Sequence, residues 1–248
     1  MYNGQTNYAI IGPFYKNQIQ DLFQYIVYPW IMVLLSIISG ISSKYSLDKY
    51  NKSNYIHDRT IKLFVPSTIG LLIFGWVRGY YNMLLTEAFL KIPSNINKLL
   101  LFLIMWISGT GVLWFNQVLW INSIILIILI KFEKNKLLNF CENIIILSLG
   151  WFIPFCPKIK YSSIISFWYL WISFLLGYFV FSHENNIKHL ESNYIFLIYI
   201  SIILGTLFTY KYNGENYALK EIFISSLSVS YSWFASLSML AIGKLFFW

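Results

Sequence analysis

Between Leu99 and Ile130 the chain carries no charged side chain. A helix rises about 1.5 Å per residue, so about 20 apolar residues cross the bilayer's hydrocarbon core. This run is long enough to cross and too long for one simple span. It contains Gly109-Thr110-Gly111, and two glycines so close together weaken a helix. The expectation is a short re-entrant or interfacial helix over Leu99–Ser108, followed by a full span over Val112–Ile130.

The same test, applied along the chain, predicts further spans at Leu22–Ser43, Leu63–Leu85, Leu137–Phe155, Tyr161–Ser182, Ser192–Tyr210 and Ile222–Gly243. Composition agrees: 58% of residues are hydrophobic and 11% are charged, against about 25% charged in soluble domains. Too few polar side chains remain to cover a water-facing surface, so lipid must be the outer solvent. The predicted fold is all-α, a polytopic membrane helical bundle of about seven transmembrane helices. Residues 1–248 read as a single integral membrane domain, with neither a soluble domain nor an internal repeat.

The net charge is +8, and its placement decides what it means. Nucleic-acid binding would gather the charge on one face. Here the lysines sit in short connectors, which excludes a nucleic-acid partner and points to helix orientation instead. The Lys44–Lys62 connector holds Lys44, Lys49, Lys52, Arg59 and Lys62 against Asp48 and Asp58, and Lys131–Lys136 holds three lysines against Glu133. The positive-inside rule makes their shared side cytoplasmic. Residues 1–21 then lie outside, without a signal peptide of their own.

Motifs of soluble enzymes are missing from the sequence: it has no phosphate loop, no dinucleotide fingerprint and no nucleophile elbow. Cys141 and Cys156 lack zinc spacing and read as buried thiols, and no metal site is expected. His57, His183 and His189 fall in predicted connectors and read as solvated.

Three clusters can carry chemistry. At His57–Pro66, basic residues enter a span; Arg59 and Lys62 are three apart, would share a helix face and suit an anionic phosphorylated ligand, or they anchor the span at the headgroups. At Ser108–Gln117, a helix broken at membrane depth must be buried in protein or line a cavity. Trp114, Asn116 and Gln117 are its candidate cavity-lining residues, with helix packing through small residues as the plainer alternative. Arg78 precedes Gly79-Tyr80-Tyr81-Asn82 and either reaches the outer interface or pairs with Glu87.

These stretches carry a resemblance. Tyr28-Pro29-Trp30 with Ser39-Gly40-Ile41-Ser42, Arg59 to Thr68, Gly79 to Leu84, Ser108 to Trp120 and Leu176 to Glu184 occur in an order that resembles the membrane acyltransferase family 3. The members of this family are multi-spanning O-acyltransferases of bacterial surface chemistry. The resemblance runs from about Asn3 to the end and implies a bundle of about ten spans in the bacterial cytoplasmic (inner) membrane. It implies transfer of an acyl group, with acetyl the expected one, from acyl-CoA to a hydroxyl of an exported glycan, lipid or small molecule. No bound cofactor is implied; acetyl-CoA is a co-substrate, and the lipid bilayer and a hydroxyl-bearing acceptor are the partners.

The family's basic pair for the acyl donor maps onto Arg59 and Lys62, where its usual Arg-x-x-Arg becomes Arg-x-x-Lys. Lysine keeps the charge and loses the planar fork. The family's first span carries a histidine that acts as general base on the acceptor. The chain begins after the place of that span and stops before the family's last spans, so the resemblance implies a member truncated at both ends. The catalytic base is therefore unassigned, and the chain alone is expected to be inactive or nearly so. The competing expectation is a non-catalytic polytopic protein such as a transporter or partner subunit, since transporters also use discontinuous helices at their binding sites.

Overall fold

The computed structural model describes residues 19–85, 96–109, 113–133, 162–212 and 225–247. The described residues are helical, with no strand among them. They form α1 (Ile19–Lys49), α2 (Lys52–Arg59), α3 (Val65–Gly70), α4 (Trp76–Leu85), α5 (Lys98–Ser108), α6 (Trp114–Glu133), α7 (Ser162–Phe179), α8 (Glu184–Ser192), α9 (Tyr194–Tyr212) and α10 (Ser226–Phe247). Among the described residues, four helical stretches are long and apolar enough to cross a membrane: Ile26–Lys49, Lys52–Tyr81, Trp114–Phe132 and Tyr194–Tyr212. The span expected at Leu137–Phe155 lies outside the described residues.

The chain divides into two compact units. Among the described residues the first is Lys52–Ile124. The second is Ile19–Asn51 with the described residues from Ile125 onward.

In the first unit, α2, α3 and α4 form one rod, joined by wide π-helical turns at Thr60–Phe64 and Leu71–Gly75. Pro66 supplies one reason. Proline lacks an N–H and crowds the carbonyl a turn before it. The widened turn precedes it, and the Val65 N–H reaches back to Thr60 O. The Phe64 carbonyl accepts the hydroxyls of Ser67 and Thr68 at 3.0 and 2.7 Å. The second turn follows from a packing stripe. Ser67, Leu71, Gly75, Gly79 and Met83 are buried, one every fourth residue. On a regular helix such a stripe drifts about 40° per step; the extra residue held in a π turn absorbs the drift.

The other side of the rod exposes Leu72, Ile73, Phe74 and Trp76, with Phe74 68% exposed. An apolar face of that extent suits lipid rather than water.

The break in the long uncharged run falls where the glycines predict, between α5 and α6. Its geometry corrects the re-entrant expectation. Gly79 packs on Met105, Gly109 on Gly75, and Gly70 on Leu113, while Phe64 stacks on Trp120. As the rod's residue numbers fall, its partners' numbers rise. The described residues on either side of 110–112, α5 with Gly109 and the start of α6, therefore run in the same direction, antiparallel to the rod. The energetic reason lies in the contact: the backbones at Gly75, Gly79 and Gly109 touch, and small residues permit such close approach between helices.

In the second unit, α10 runs alongside α1 in the same direction. The Tyr231 hydroxyl donates to Ile26 O at 2.7 Å and the Ser236 hydroxyl to Trp30 O at 3.1 Å. A carbonyl oxygen has two lone pairs, so each of these carbonyls can take a donor from the neighbouring helix besides the one in its own. α7 takes the same sense: Tyr169 meets Ser232 at 2.8 Å, while Gly177 lies backbone to backbone against Ile37 and Gly40. α9 returns antiparallel, with Phe208 stacked on Tyr231 at 5.8 Å. Tyr212 and Leu227 pack on that same cluster.

Candidate functional site

The polar turn α2 lies before the apolar part of its rod. Arg59 ends it, with the guanidinium 5.4 Å from the ring centroid of the buried Tyr55, a cation–π distance. Lys62 stands in the wide turn that follows, with its side chain 69% exposed, and donates to Asp58 Oδ2 at 2.7 Å. The hydrogen bond and charge of Lys62 hold the Asp58 carboxyl below the usual carboxylate range. Each cation thus leans on the residue four before it, in neighbouring columns of the helix. The regular α-helical face expected for the pair is replaced by the boundary between α2 and the π turn.

One residue further in, Thr60 Oγ1 accepts the Trp120 indole N–H at 3.0 Å and donates to Ile56 O at 2.8 Å. Trp120 also stacks on Phe64 at 4.4 Å. These contacts tie the basic end of the rod to α6 across 60 residues of sequence.

Trp114, Asn116 and Gln117 open α6 just after the break, and all three are half-buried. Trp114 meets Phe115 edge-on at 6.3 Å. The buried stripe of α6 is Phe115, Val118, Leu119, Asn122, Ser123 and Leu126, so the three candidates flank it. Leu113, just before them, lies against Gly70, about 16 Å along the rod from Arg59 at about 1.5 Å per residue; Gln117 stands three residues before Trp120, which bonds to Thr60 beside Arg59.

Sequence reasoning missed Asn122. It is 0% exposed, and neither its amide nitrogen nor its oxygen has a hydrogen-bond partner. Buried polar groups are almost always paired, and polar groups inside apolar helices mark function by default. The available signal was an Asn in the middle of an uncharged run. His183 also departs from its expectation of a solvated loop residue: it precedes α8, is half-buried, and its Nε2 is buried without a partner. His57 and His189 are exposed as expected. Arg78 is exposed on α4. Glu87, Cys141, Glu142 and Cys156 lie outside the described residues. Among the described residues no group of three His, Cys, Asp or Glu side chains could hold a metal.

Together the described residues define an α-helical protein of integral-membrane character, with apolar faces turned outward and several polar side chains buried in interhelical seams. Comparison with family models, with curated proteins and with solved structures found no match.

Proposed function

We propose that the chain is a membrane-bound acyltransferase of about seven spans in a bacterial cytoplasmic membrane. It would transfer an acyl group, acetyl in the first instance, from acyl-CoA to a hydroxyl of an exported glycan, lipid or small molecule. The observation that carries this reading is the Thr60–Trp120 hydrogen bond with the Phe64–Trp120 stack. It joins two of the segments on which the resemblance rests, Arg59 to Thr68 and Ser108 to Trp120.

The chemistry asks for a cationic end and an apolar shaft. Acyl-CoA is a polyanion with a thioester at the far end of a long arm. Arg59 and Lys62 supply the cations, and the half-buried Trp114, Asn116 and Gln117 line the path further in. The hydroxyl oxygen attacks the thioester carbonyl, the C–S bond breaks, and CoA leaves as the thiol once a base has moved the proton. No residue of this chain is assigned as that base.

The test is calorimetry of acetyl-CoA with the purified chain in lipid nanodiscs. Saturable binding that weakens about tenfold in Arg59→Ala, the loss of one charge-assisted contact, supports the reading. The transporter alternative is favoured by one observation, the interruption between α5, which ends at Ser108, and α6, which begins at Trp114. Absence of acetyl-CoA binding, together with solute flux in proteoliposomes, would decide for it.

A further inference from the structure

The second unit carries a groove of about 270 Å³ between α1 and α10. Its walls are Leu34, Ile38 and Ile41 on α1 with Met239 and Leu240 on α10, and Ile187 of α8 closes one side. Because α1 and α10 run in the same direction, the residues that end the groove come from the same end of both helices. Those residues are Tyr45 and Lys244. The groove therefore has an apolar shaft and an end that bears a hydroxyl and a cation.

We propose that this groove binds one anionic glycerophospholipid, with an acyl chain along the shaft and the phosphate at Lys244. Three observations favour this occupant over a protein helix. The groove combines the two chemistries of a lipid molecule: an apolar wall, and a phenol and an ammonium as the last residue that each helix contributes. Tyrosine and lysine are the side chains that settle at the headgroup level. Charge also accumulates at this end of α1, where Lys44 and Lys49 follow Ile41. Lys44 is paired with Asp48 at 2.8 Å, and Lys244 faces the groove itself. An ammonium has three donors, so Lys244 can hold a phosphate together with a protein neighbour.

Gly243 makes the proposal testable. It lines the groove, and a Cβ built on it meets nothing within 4 Å. Gly243→Leu therefore puts a side chain into the space the acyl chain would occupy, and leucine is the better helix former.

The experiment is native mass spectrometry of the full chain in detergent. The probes are dioleoyl phosphatidylglycerol and dioleoyl phosphatidylcholine, titrated separately. The wild type is expected to retain phosphatidylglycerol roughly fivefold better, the effect of one lysine near an anionic headgroup. Lys244→Gln should remove that preference while phosphatidylcholine binding stays. Gly243→Leu should reduce both adducts severalfold, with an unchanged melting temperature showing that the bundle is intact. Wild-type retention of both lipids by Gly243→Leu, or an undiminished preference in Lys244→Gln, overturns the proposal. So does a wild type that holds the two lipids equally, or a Gly243→Leu chain that changes only its oligomeric state. None of these readouts depends on acyl transfer, so the lipid site and the acyltransferase reading stand or fall separately.

Discussion

Gly109 lies against Gly75 backbone to backbone: a Cβ on Gly109 would collide with the Gly75 carbonyl and come within 2.9 Å of Gly79 N. The helix break and one of the closest helix contacts among the described residues of the first unit are therefore the same place. Gly109 follows the end of α5, where its N–H still donates to Met105 O at 3.0 Å, and it also admits the rod. In lipid, where no hydrophobic force drives helices together, such close packing is a principal source of association.

Replacing Gly109 by Ala should therefore destabilise the first unit by about 1–3 kcal/mol or more, since the methyl meets backbone that cannot move aside. Gly243→Ala is the control. Its Cβ enters open space, so the gain in helix propensity leaves it neutral or slightly stabilising. Thermal unfolding of both variants in one detergent checks the contrast. Equal melting temperatures would mean that the helix contact carries little of the stability.

The Thr60–Trp120 bond can be separated from the stack beside it. Trp120→Phe retains an aromatic face for Phe64 and loses the N–H. It should cost about 0.5–1.5 kcal/mol, the net value of one hydrogen bond. Thr60→Val removes the acceptor from the other side. In the double mutant the two losses should add to less than their sum, since one bond is being removed twice. Strict additivity in the cycle would show that the two residues do not interact.

What could be read from the sequence follows the range of each cause. The break at Gly109 was legible because glycine acts on its own backbone. The outward apolar faces were legible because charge is absent over whole spans. The direction of α5 was not, since it depends on contacts of Gly79 with Met105 and Gly109 with Gly75 that only the folded chain makes. The π turns were hidden for the same reason: Pro66 signals a disturbed turn, but the fourfold stripe of Ser67, Leu71, Gly75 and Gly79 reads as a packing face only once its partner is known. α10 illustrates the opposite difficulty. Its serines lower its hydropathy, yet Ser232, Ser236 and Ser238 bond to carbonyls three or four residues back, which lets them lie buried in a helix seam. At the candidate site Arg59 and Lys62 were found by type and spacing. Asn122 and His183 escaped because what singles them out is an unpartnered buried atom, which has no counterpart in a one-dimensional pattern.

Asn122 leads to a prediction of opposite sign to most core substitutions. Leaving a buried amide unpaired costs about 1–3 kcal/mol, and leucine has the same branched heavy-atom skeleton without the polar atoms, although its methyl groups are bulkier. Asn122→Leu should raise the unfolding temperature of the purified chain. A lower temperature would mean that the amide stabilises the bundle in its own right. If the amide serves function, the same variant should gain stability and lose acetyl-CoA binding or solute flux, the trade expected of a polar group kept in an apolar span.

The final prediction concerns Asp58, which competes with any anionic ligand for Lys62. The Asp58 side chain is about half exposed, so its bond to Lys62 adds little to stability, but it occupies the cation. Asp58→Asn should tighten acetyl-CoA binding by a few fold, in the opposite direction to Arg59→Ala. The pH dependence has a definite sign. The Asp58 carboxyl is held below its ordinary range, so the Asp58–Lys62 pair is intact at neutral pH and is lost only as pH falls through that depressed value. Wild-type binding should then rise towards that of Asp58→Asn on acidification, while the variant is insensitive over the same window. Calorimetry of both proteins across the acidic range measures this directly. A wild type and variant that bind equally at neutral pH would remove Lys62 from the donor site and leave Arg59 alone to hold it.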